Sequence, residues 1–315
     1  MLNRRHLRVK VLQSLYAYYQ SEEVNFHKTE RELLDAVEKI YDLYIYLLLS
    51  FSELTAVSSR RIDENKKKIR PSEEELSPNT KFIDNVIIKV LDDSKELRSI
   101  SESRKVNWVG DDVQEMFRKM YLHIRDSETF FEFMNNGEVG FEEDRQFALS
   151  LFKVEIANYP LLHDFLEEKS IQWIDDIDLA CSMVLKTIKN INEGEPLDVL
   201  PLYKDKEDEL TFIKELLRKT ISMDKENEKI IEELTKNWEF DRIAKMDVIL
   251  MKMAITEFQI FNNIPTKVTL NEYIEISKFY STPKSNTFIN GILDKAIKQL
   301  TTEKKITKVG RGLIN

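Results

Sequence analysis

Apolar residues recur at helical spacing along most of the chain. A period close to 3.6 residues predicts a first helix over residues 3–20 and a second over residues 29–57. Their apolar positions are Leu7, Val11, Leu15 and Tyr18 in the first helix and Leu33, Val37, Ile40, Tyr44, Leu47, Phe51 and Leu54 in the second. Few segments alternate between apolar and polar residues, and only seven glycines and seven prolines interrupt the 315 residues. The pattern therefore predicts an all-α protein.

The middle of the chain repeats this pattern in shorter segments. After the second helix, the charged stretch RRIDENKKKIRPSEEELSPN predicts an exposed connection. Helical spacing resumes over residues 81–192, where the apolar faces favour a core over a binding surface. Pro196 and Pro201 then separate this region from a last group of helices.

The segment PKSNTFINGILDK, residues 283–295, has the composition of a helix start. Its leading proline needs no amide donor in the first turn, and Thr282, Ser285 or Asn286 could cap the free backbone amides. Gly291 is unusual because a glycine inside a helix costs about 0.5–1 kcal/mol relative to alanine. We expect a compensating close approach by another backbone or by a ligand.

The same segment contains the components of a site for single-stranded RNA. A helix N-terminus favours a phosphate group. Lys284 supplies a charge, Phe288 a ring for stacking and Asn290 an amide for base edges. The alternative is that Phe288 belongs to the core, Asn290 is a cap or surface residue and Lys284 is a solvated cation. Spacing alone leaves both interpretations open.

Charge is distributed unevenly along the chain. The formal net charge of −9 argues against an indiscriminate nucleic-acid binder, yet residues 1–20 contain four Lys or Arg and no acid. Residues 240–315 contain 12 basic and 7 acidic residues. Basic ends around an acidic middle indicate a confined anion site, although acidic helices could simply keep the middle soluble. Arg4, Arg5 and Arg8 can share one face of the first helix, where they oppose its dipole and suggest an external anion.

Several other kinds of site are excluded by composition. Cys181 is the single cysteine, and the four histidines are scattered, so we expect no disulfide, metal site or cofactor. The N-terminus has charges every few residues and does not resemble a signal peptide. The longest apolar run, residues 44–51, is too short to span a membrane. A cytoplasmic protein is expected.

Two blocks of the sequence resemble the bacterial transcription antitermination factor NusB family. The opening block is RRHLRVKVLQSLYAYY, an arginine-rich start followed by a run that contains Leu-Tyr. The closing block contains, in order, RIAKMDVILMKMA, IPTKVTLNEYIEISK and TFINGILDK. These segments are similar to the family's Pro-Lys-Val turn, its Asn-Glu helix and its Phe-Ile-Asn-Gly ending. Together the blocks cover roughly residues 1–50 and 205–300.

This resemblance implies an all-helical fold of two packed subdomains without enzymatic activity or cofactor. It implies that the protein pairs with the ribosomal protein NusE and binds the boxA element of nascent RNA. The pair would tether that RNA to RNA polymerase during antitermination, chiefly in ribosomal RNA transcription. A homodimer of the free protein is a further expectation left open.

The resemblance also assigns roles to individual residues. The residues expected to bind RNA are Arg4, Arg5, Arg8, Lys284, Phe288 and Asn290. The residues expected at the NusE interface are Tyr16, Asp241 and Asp247. Lys284 stands where the family often has an acidic or small polar residue, and we expect it to strengthen a phosphate contact. Without the resemblance, the two aspartates would be interpreted as a helix cap and a surface acid.

The middle of the chain has no counterpart in short family members. We expect NusB-like helices over residues 1–58, an inserted helical region over 59–200, a NusB-like bundle over 201–300 and a basic flexible tail over 301–315. The resemblance does not indicate what the inserted region does.

Two other functions remain open. A helical interaction scaffold in ribosome biogenesis or transcription, without direct RNA binding, would account for the acidic middle. A NusB-like domain also precedes some ribosomal RNA cytosine methyltransferases. Such an enzyme needs a glycine-rich cofactor loop and a reactive cysteine. The sequence has no glycine cluster, and Cys181 lies in an apolar helical stripe.

Overall fold

A computed structural model describes residues 1–23, 25–236 and 242–313. Within these ranges the chain is helical and contains no β-strand, which confirms the predicted all-α fold. The α-helices are α1 (Arg4–Gln20), α2 (Phe26–Lys66), α3 (Glu73–Leu76), α4 (Val86–Asp92), α5 (Lys95–Arg104), α6 (Asp111–Arg125), α7 (Glu128–Asn135), α8 (Phe141–Ser150), α9 (Pro160–Lys169), α10 (Ile177–Asn190), α11 (Lys206–Ser222), α12 (Asp224–Leu234), α13 (Lys245–Ile260), α14 (Thr266–Tyr280) and α15 (Ser285–Thr302). A π-helix spans Leu151–Ile156, and 3-10 turns span Ile171–Trp173 and Gly310–Leu313.

The connection predicted after residue 57 is shorter than expected. Helix α2 continues to Lys66, because the residues RRIDENK are mostly good helix formers even though their apolar pattern has ended. Helix α3 lies within the same stretch and starts with a capping box, in which Ser72 and Glu75 accept hydrogen bonds from each other's backbone amides.

The described residues form two compact units. The middle unit consists of Glu38–Leu202 together with Met1, and the terminal unit consists of Leu2–Val37 and Tyr203–Asn315. On the N-terminal side the two units divide between Val37 and Glu38, inside the continuous helix α2. The boundary that we expected at residue 58 also lies inside that helix.

Two groups of aromatic side chains form much of the core of the middle unit. The first group consists of Phe82, Tyr121, Phe130, Phe133 and Phe147. The second group surrounds the buried Trp108 and consists of Tyr46, Phe117 and Phe165. The Trp108 Nε1 atom donates a hydrogen bond to the Tyr46 carbonyl at 3.0 Å. The middle unit therefore has its own hydrophobic core.

Helix α13 lies at the centre of the terminal unit. It packs against α1, α11, α12, α14 and α15, and every residue from Ile249 to Phe258 is buried. A helix that is apolar on all sides is expected to be buried in this way. The charged residues of this stretch are Lys252 and Glu257, and both have ion-pair partners.

Helix α2 is long and apolar enough to cross a membrane by length and composition, which the shorter run in the sequence did not indicate. Its most apolar window has a mean hydropathy of 1.3, and 67% of that window is buried within the protein. Burial in the fold accounts for this apolar character, so length and composition alone do not make α2 a membrane span.

The C-terminal tail contacts the turn between α13 and α14. Lys308 Nζ donates a hydrogen bond to the Phe261 carbonyl at 2.9 Å, and the Val309 amide donates to the Asn262 carbonyl at 3.0 Å. Burial lowers the pKa of Lys308 to about 8. This part of the tail, which we expected to be flexible, is thus held against the terminal unit.

Candidate nucleic-acid interface

Two of the three N-terminal arginines lie at the surface of the terminal unit. Asn3 caps α1 and so places the arginines in its first two turns. Arg4 forms an ion pair with Asp208 at 2.6 Å, and Arg5 donates two hydrogen bonds to the Glu272 carboxylate at 2.8 and 2.9 Å. Both arginine side chains remain partly exposed.

The pair between Arg5 and Glu272 shifts both groups. The hydrogen bond from Arg5 lowers the pKa of Glu272, and the same bond raises the pKa of Arg5. An exposed pair of this kind contributes about 0–1 kcal/mol to stability. The Glu272 carboxylate also lies 3.8 Å from the Arg8 Nη1 atom, so it is shared between Arg5 and the buried Arg8.

Arg8 lies in the core, and its side chain is only 2% exposed. Its Nε and Nη2 atoms donate to the two Glu257 carboxylate oxygens at 2.8 and 2.6 Å. The hydroxyls of Thr269 and Tyr273 donate to the same carboxylate at 2.8 and 2.9 Å. Burial alone would lower the pKa of Arg8, but the Glu257 carboxylate outweighs burial and raises it.

Arg8 lies at the wall of a surface groove, yet its low exposure leaves little of the guanidinium for the direct RNA contact expected of it. Three residues along a helix correspond to a rotation of about 300°, so Arg8 is turned about 60° away from Arg5. That rotation points Arg8 toward Glu257 inside the terminal unit, while Arg5 stays at the surface. Spacing alone could not separate the two because both lie on one broad face.

A groove of about 980 Å³ lies between the start of α1 and the start of α14. Its lining includes Arg4, Arg5, Asn263, Lys267, Val268 and Asn271. The groove thus combines cations for phosphates, amides for base edges and an apolar surface. We will call it the α1–α14 groove.

Sequence reasoning did not single out three of these side chains. Asn263, Lys267 and Asn271 are exposed in the α1–α14 groove. In the sequence Asn263 indicated only a helix break, and Lys267 and Asn271 lay on the polar side of a predicted helix. The available signal was the cluster of two asparagines and a lysine around the Ile-Pro-Thr turn, which becomes a site only beside the arginines of α1.

A second candidate surface starts at the turn between α14 and α15. Helix α15 begins at Ser285 with Lys284 as its N-cap residue, and no side chain caps it. The capping expected from Asn286 is replaced by a local bond, since its Oδ1 accepts from the Thr287 amide at 2.8 Å. Thr282 and Ser285 instead hydrogen-bond to each other through their hydroxyls at 2.8 Å.

Four positions of α15 and its cap form one stripe along the helix. Lys284, Phe288, Gly291 and Lys295 are spaced at helical intervals, so they share a face. Lys284, Gly291 and Lys295 are exposed, and Phe288 is half-buried. We will call these four residues the α15 stripe.

Gly291 does not meet the internal backbone that the sequence suggested. A Cβ atom placed on Gly291 would have no described heavy atom within 4 Å, apart from its neighbours and its own helix backbone. Among the described residues, therefore, no internal backbone makes the close approach that we expected at Gly291.

Asn290 lies on a different face from the α15 stripe. Two residues along a helix correspond to a rotation of about 200°, which places Asn290 nearly opposite Phe288. Asn290 is half-buried there. The structure thus brings Lys284 and Phe288 together but does not bring Asn290 to the same surface.

The residues expected at a NusE interface have different environments. Tyr16 lies on α1 and is 41% exposed. Asp247 lies in the first turn of α13, is 5% exposed and accepts hydrogen bonds from Ser281 and Ser285. Asp241 lies outside the described residues.

A smaller groove of about 320 Å³ lies between the end of α1 and the start of α13. Tyr19, Lys245, Val248, Ile249 and Lys252 are among its lining residues. Its walls combine apolar side chains with two lysines and a tyrosine. We will call it the α1–α13 groove.

The structure thus defines an all-helical protein with candidate ligand surfaces on its terminal unit. A model of the NusB family matches residues 183–298. The transcription antitermination protein NusB of Salinibacter ruber is 43% identical over 119 residues, which cover 38% of this chain and 71% of that protein. The protein of the same name from Listeria monocytogenes is 34% identical over 126 residues, which cover 40% of this chain and 88% of that protein.

The chain belongs to the NusB family. A further relative, the transcription antitermination protein NusB of Chloroherpeton thalassium, is 38% identical over 120 residues, or 38% of this chain and 55% of that protein. No solved structure matched the chain with a significant score. The similarity to relatives therefore covers about two-fifths of the chain, and the family model leaves residues 1–182 unmatched.

Proposed function

We propose that this protein is a cytoplasmic transcription antitermination factor, not an enzyme, that binds boxA-type RNA together with NusE. In this proposal it joins the antitermination complex on RNA polymerase and supports transcription of ribosomal RNA. The α15 stripe is the observation that carries the proposal. It presents a cation, an aromatic ring, an unobstructed glycine and a second cation in order along one helix face.

The α1–α14 groove supports a second contact with the same RNA strand. Arg4, Arg5 and Lys267 would hold phosphates, while Asn263 and Asn271 would contact base edges. Helix α14 links the groove to the turn before α15 and is about 22 Å long for its 15 residues. A short single strand can span that length, and we propose that one RNA contacts both surfaces.

The α1–α13 groove and Tyr16 support the surface proposed for NusE. An exposed tyrosine is a frequent anchor in protein interfaces because it buries a large ring and keeps a polar tip. The partly exposed side chain of Val248 would contact partner side chains in the α1–α13 groove.

We also propose that the middle unit is an insertion into a NusB-like body. Its support is that the reported relatives align with about two-fifths of this chain, and that the family model leaves the middle unit unmatched except for residues 183–202. The separate core of the middle unit, built around Phe82 and Trp108, is consistent with an independent addition.

The test of RNA binding is the change Phe288→Ala. We expect the affinity for boxA RNA, measured with and without NusE, to fall by about 1–3 kcal/mol, or roughly 5- to 150-fold, because a stacking surface is lost. Phe131→Ala is the matched control, since Phe131 is a 66% exposed phenylalanine on α7 of the middle unit. Binding should weaken steeply with salt for all variants.

Two outcomes would contradict the proposal. One is a folded Phe288→Ala variant that binds RNA as tightly as the parent. The other is a parent protein that binds neither boxA RNA nor the RNA–NusE pair even at low salt. The second outcome would favour the interaction scaffold.

Gly291→Ala separates stability from RNA binding. The change should raise the free energy of unfolding by about 0.5–1 kcal/mol, because the helix gains a residue of higher propensity and the position has open space. The same methyl group should weaken RNA binding, because it occupies the gap beside Phe288. Urea unfolding and RNA titration of one sample measure both effects. A stabilised variant with unchanged RNA affinity would show that no ligand approaches Gly291.

A further inference from the structure

We propose that Asp247 positions the α15 stripe for RNA and does not itself contact a partner. This inference rests on the proposed RNA-binding function and adds a residue that acts through the stripe. Asp247 belongs to α13, whereas the stripe belongs to α15 and its cap. A single carboxylate would then connect the central helix of the terminal unit with the turn that begins the RNA surface.

The Asp247 carboxylate binds both ends of that turn. Its Oδ2 atom accepts a hydrogen bond from the Ser285 hydroxyl at 2.7 Å, and its Oδ1 atom accepts one from the Ser281 hydroxyl. Thr282 lies 2.8 Å from Ser285 and can donate its hydroxyl proton to it. The hydroxyls of the turn thus form one chain of bonds that ends on the carboxylate.

Helix electrostatics favour a negative charge at this place. Asp247 is in the first turn of α13, where the helix dipole stabilises an anion. Ser285 is the first residue of α15, so the carboxylate also lies at the N-terminal end of a second helix. Two positive helix ends share one carboxylate, which offsets part of the cost of burying it.

Asp247 is a side chain of another helix that the described hydrogen bonds bring to the turn at the start of α15. No side chain caps the helix, and Ser285 is 1% exposed, so its contact with Asp247 is shielded from water. Lys284 directly precedes Ser285, and Phe288 follows it by three residues. A change in the Asp247 contact would therefore displace the first two members of the α15 stripe.

Direct contact with NusE is the competing role for Asp247. Its low exposure and its two hydroxyl donors leave little of the carboxylate for a partner. Positioning and direct contact make opposite predictions. Positioning predicts a loss of RNA affinity with NusE affinity retained, and direct contact predicts the reverse.

The experiment compares Asp247→Ala, the milder Ser285→Ala and a control, Asp294→Ala. The control removes an exposed acid on α15, the helix of Ser285. We expect Asp247→Ala to weaken RNA binding roughly tenfold, as for the loss of charge-assisted hydrogen bonds that hold the turn. Affinity for NusE alone should stay within about twofold. The salt dependence of RNA binding should become slightly shallower, because the displaced Lys284 loses its phosphate contact. Asp294→Ala should bind RNA like the parent.

A double-mutant cycle shows whether Asp247 acts through Phe288. In the Phe288→Ala background, Asp247→Ala should reduce RNA affinity much less than in the parent. The reason is that the effects of two residues that act through one contact are not additive. Additive losses, or a loss of NusE affinity equal to that of RNA, would overturn the positioning role. If Asp247→Ala does not fold, Ser285→Ala in the same cycle decides the question.

Hydrogen exchange provides a measurement that does not need RNA. Asp247→Ala should speed exchange of the first-turn amides of α15, including Phe288, whose amide donates to the Lys284 carbonyl at 3.3 Å. Later turns of α15 should keep their protection. Unchanged exchange in the first turn would reject positioning. If Asp247→Ala speeds this exchange but the parent protein binds no RNA, the proposed function is rejected and the anchoring role of Asp247 is retained.

Discussion

Replacing Glu257 by alanine will lower the free energy of unfolding by about 3 kcal/mol, because the buried Arg8 loses its bidentate partner and keeps only the Glu272 carboxylate, 3.8 Å away. The carboxylate also accepts from Thr269 and Tyr273, so their hydroxyls lose an acceptor as well. Urea unfolding monitored by circular dichroism measures the change. Glu275→Ala is the control, since Glu275 is a partly exposed acid on α14 that pairs with Lys278.

The double variant Arg8→Met with Glu257→Leu tests the reason for this loss. Removing both charges replaces an ion pair with apolar groups, which is often neutral or stabilising in protein cores. We therefore expect the double variant to regain most of the stability lost by Glu257→Ala. A loss below about 1 kcal/mol for Glu257→Ala, comparable to a surface pair, would contradict the buried network.

This network changes how the arginine-rich start should be tested. Arg8→Ala would leave the Glu257 carboxylate buried and unpaired, so reduced RNA binding by that variant would report a weakened fold. Arg5→Ala and Lys267→Ala remove exposed cations of the α1–α14 groove and give the cleaner measurement. Their effect should fall as the salt concentration rises.

Trp108→Ala is expected to lower the stability of the middle unit by about 3–5 kcal/mol. The ring is buried among Tyr46, Phe117 and Phe165, and its Nε1 atom donates to a backbone carbonyl. The change creates a large cavity and leaves that carbonyl without its donor. Val109→Ala is the adjacent control, because Val109 is an exposed side chain.

Hydrogen exchange and RNA affinity should respond differently to Trp108→Ala. Hydrogen exchange should increase at helices of the middle unit, while the affinity for boxA RNA stays within about twofold under conditions where the terminal unit is folded. The reason is that the α15 stripe and the α1–α14 groove consist of residues of the terminal unit. A parallel loss of RNA binding would mean that the middle unit takes part in the RNA surface.

Helix content followed from the sequence because it depends on local spacing, whereas the α15 stripe was not among the sequence predictions. Periodicity determined that the chain is all-α and placed α1 within one residue of its observed start. The positions of Lys284, Phe288 and Gly291 on one face also follow from 3.6 residues per turn. The opposite position of Asn290 followed from the same rule, although the residue types first grouped it with Phe288.

Helix ends were less predictable because they depend on bonds between elements. The serine and threonine before α15 have the composition of caps, yet Ser281 and Ser285 donate to Asp247 of another helix. The extension of α2 to Lys66 likewise followed from helix propensity after its apolar pattern had ended.

The partners of the charged residues were decided by tertiary structure. The sequence placed Arg4, Arg5 and Arg8 on one face, and only packing against α14 and α13 made Arg5 a surface cation and Arg8 a core residue. The same packing surrounded Asp247 with hydroxyl groups and brought Lys267 beside the arginines of α1. Helical periodicity acts over a few residues and is encoded locally. An ion pair between residues 249 positions apart depends on the whole fold, since neither charge has a partner until α1 and α13 meet.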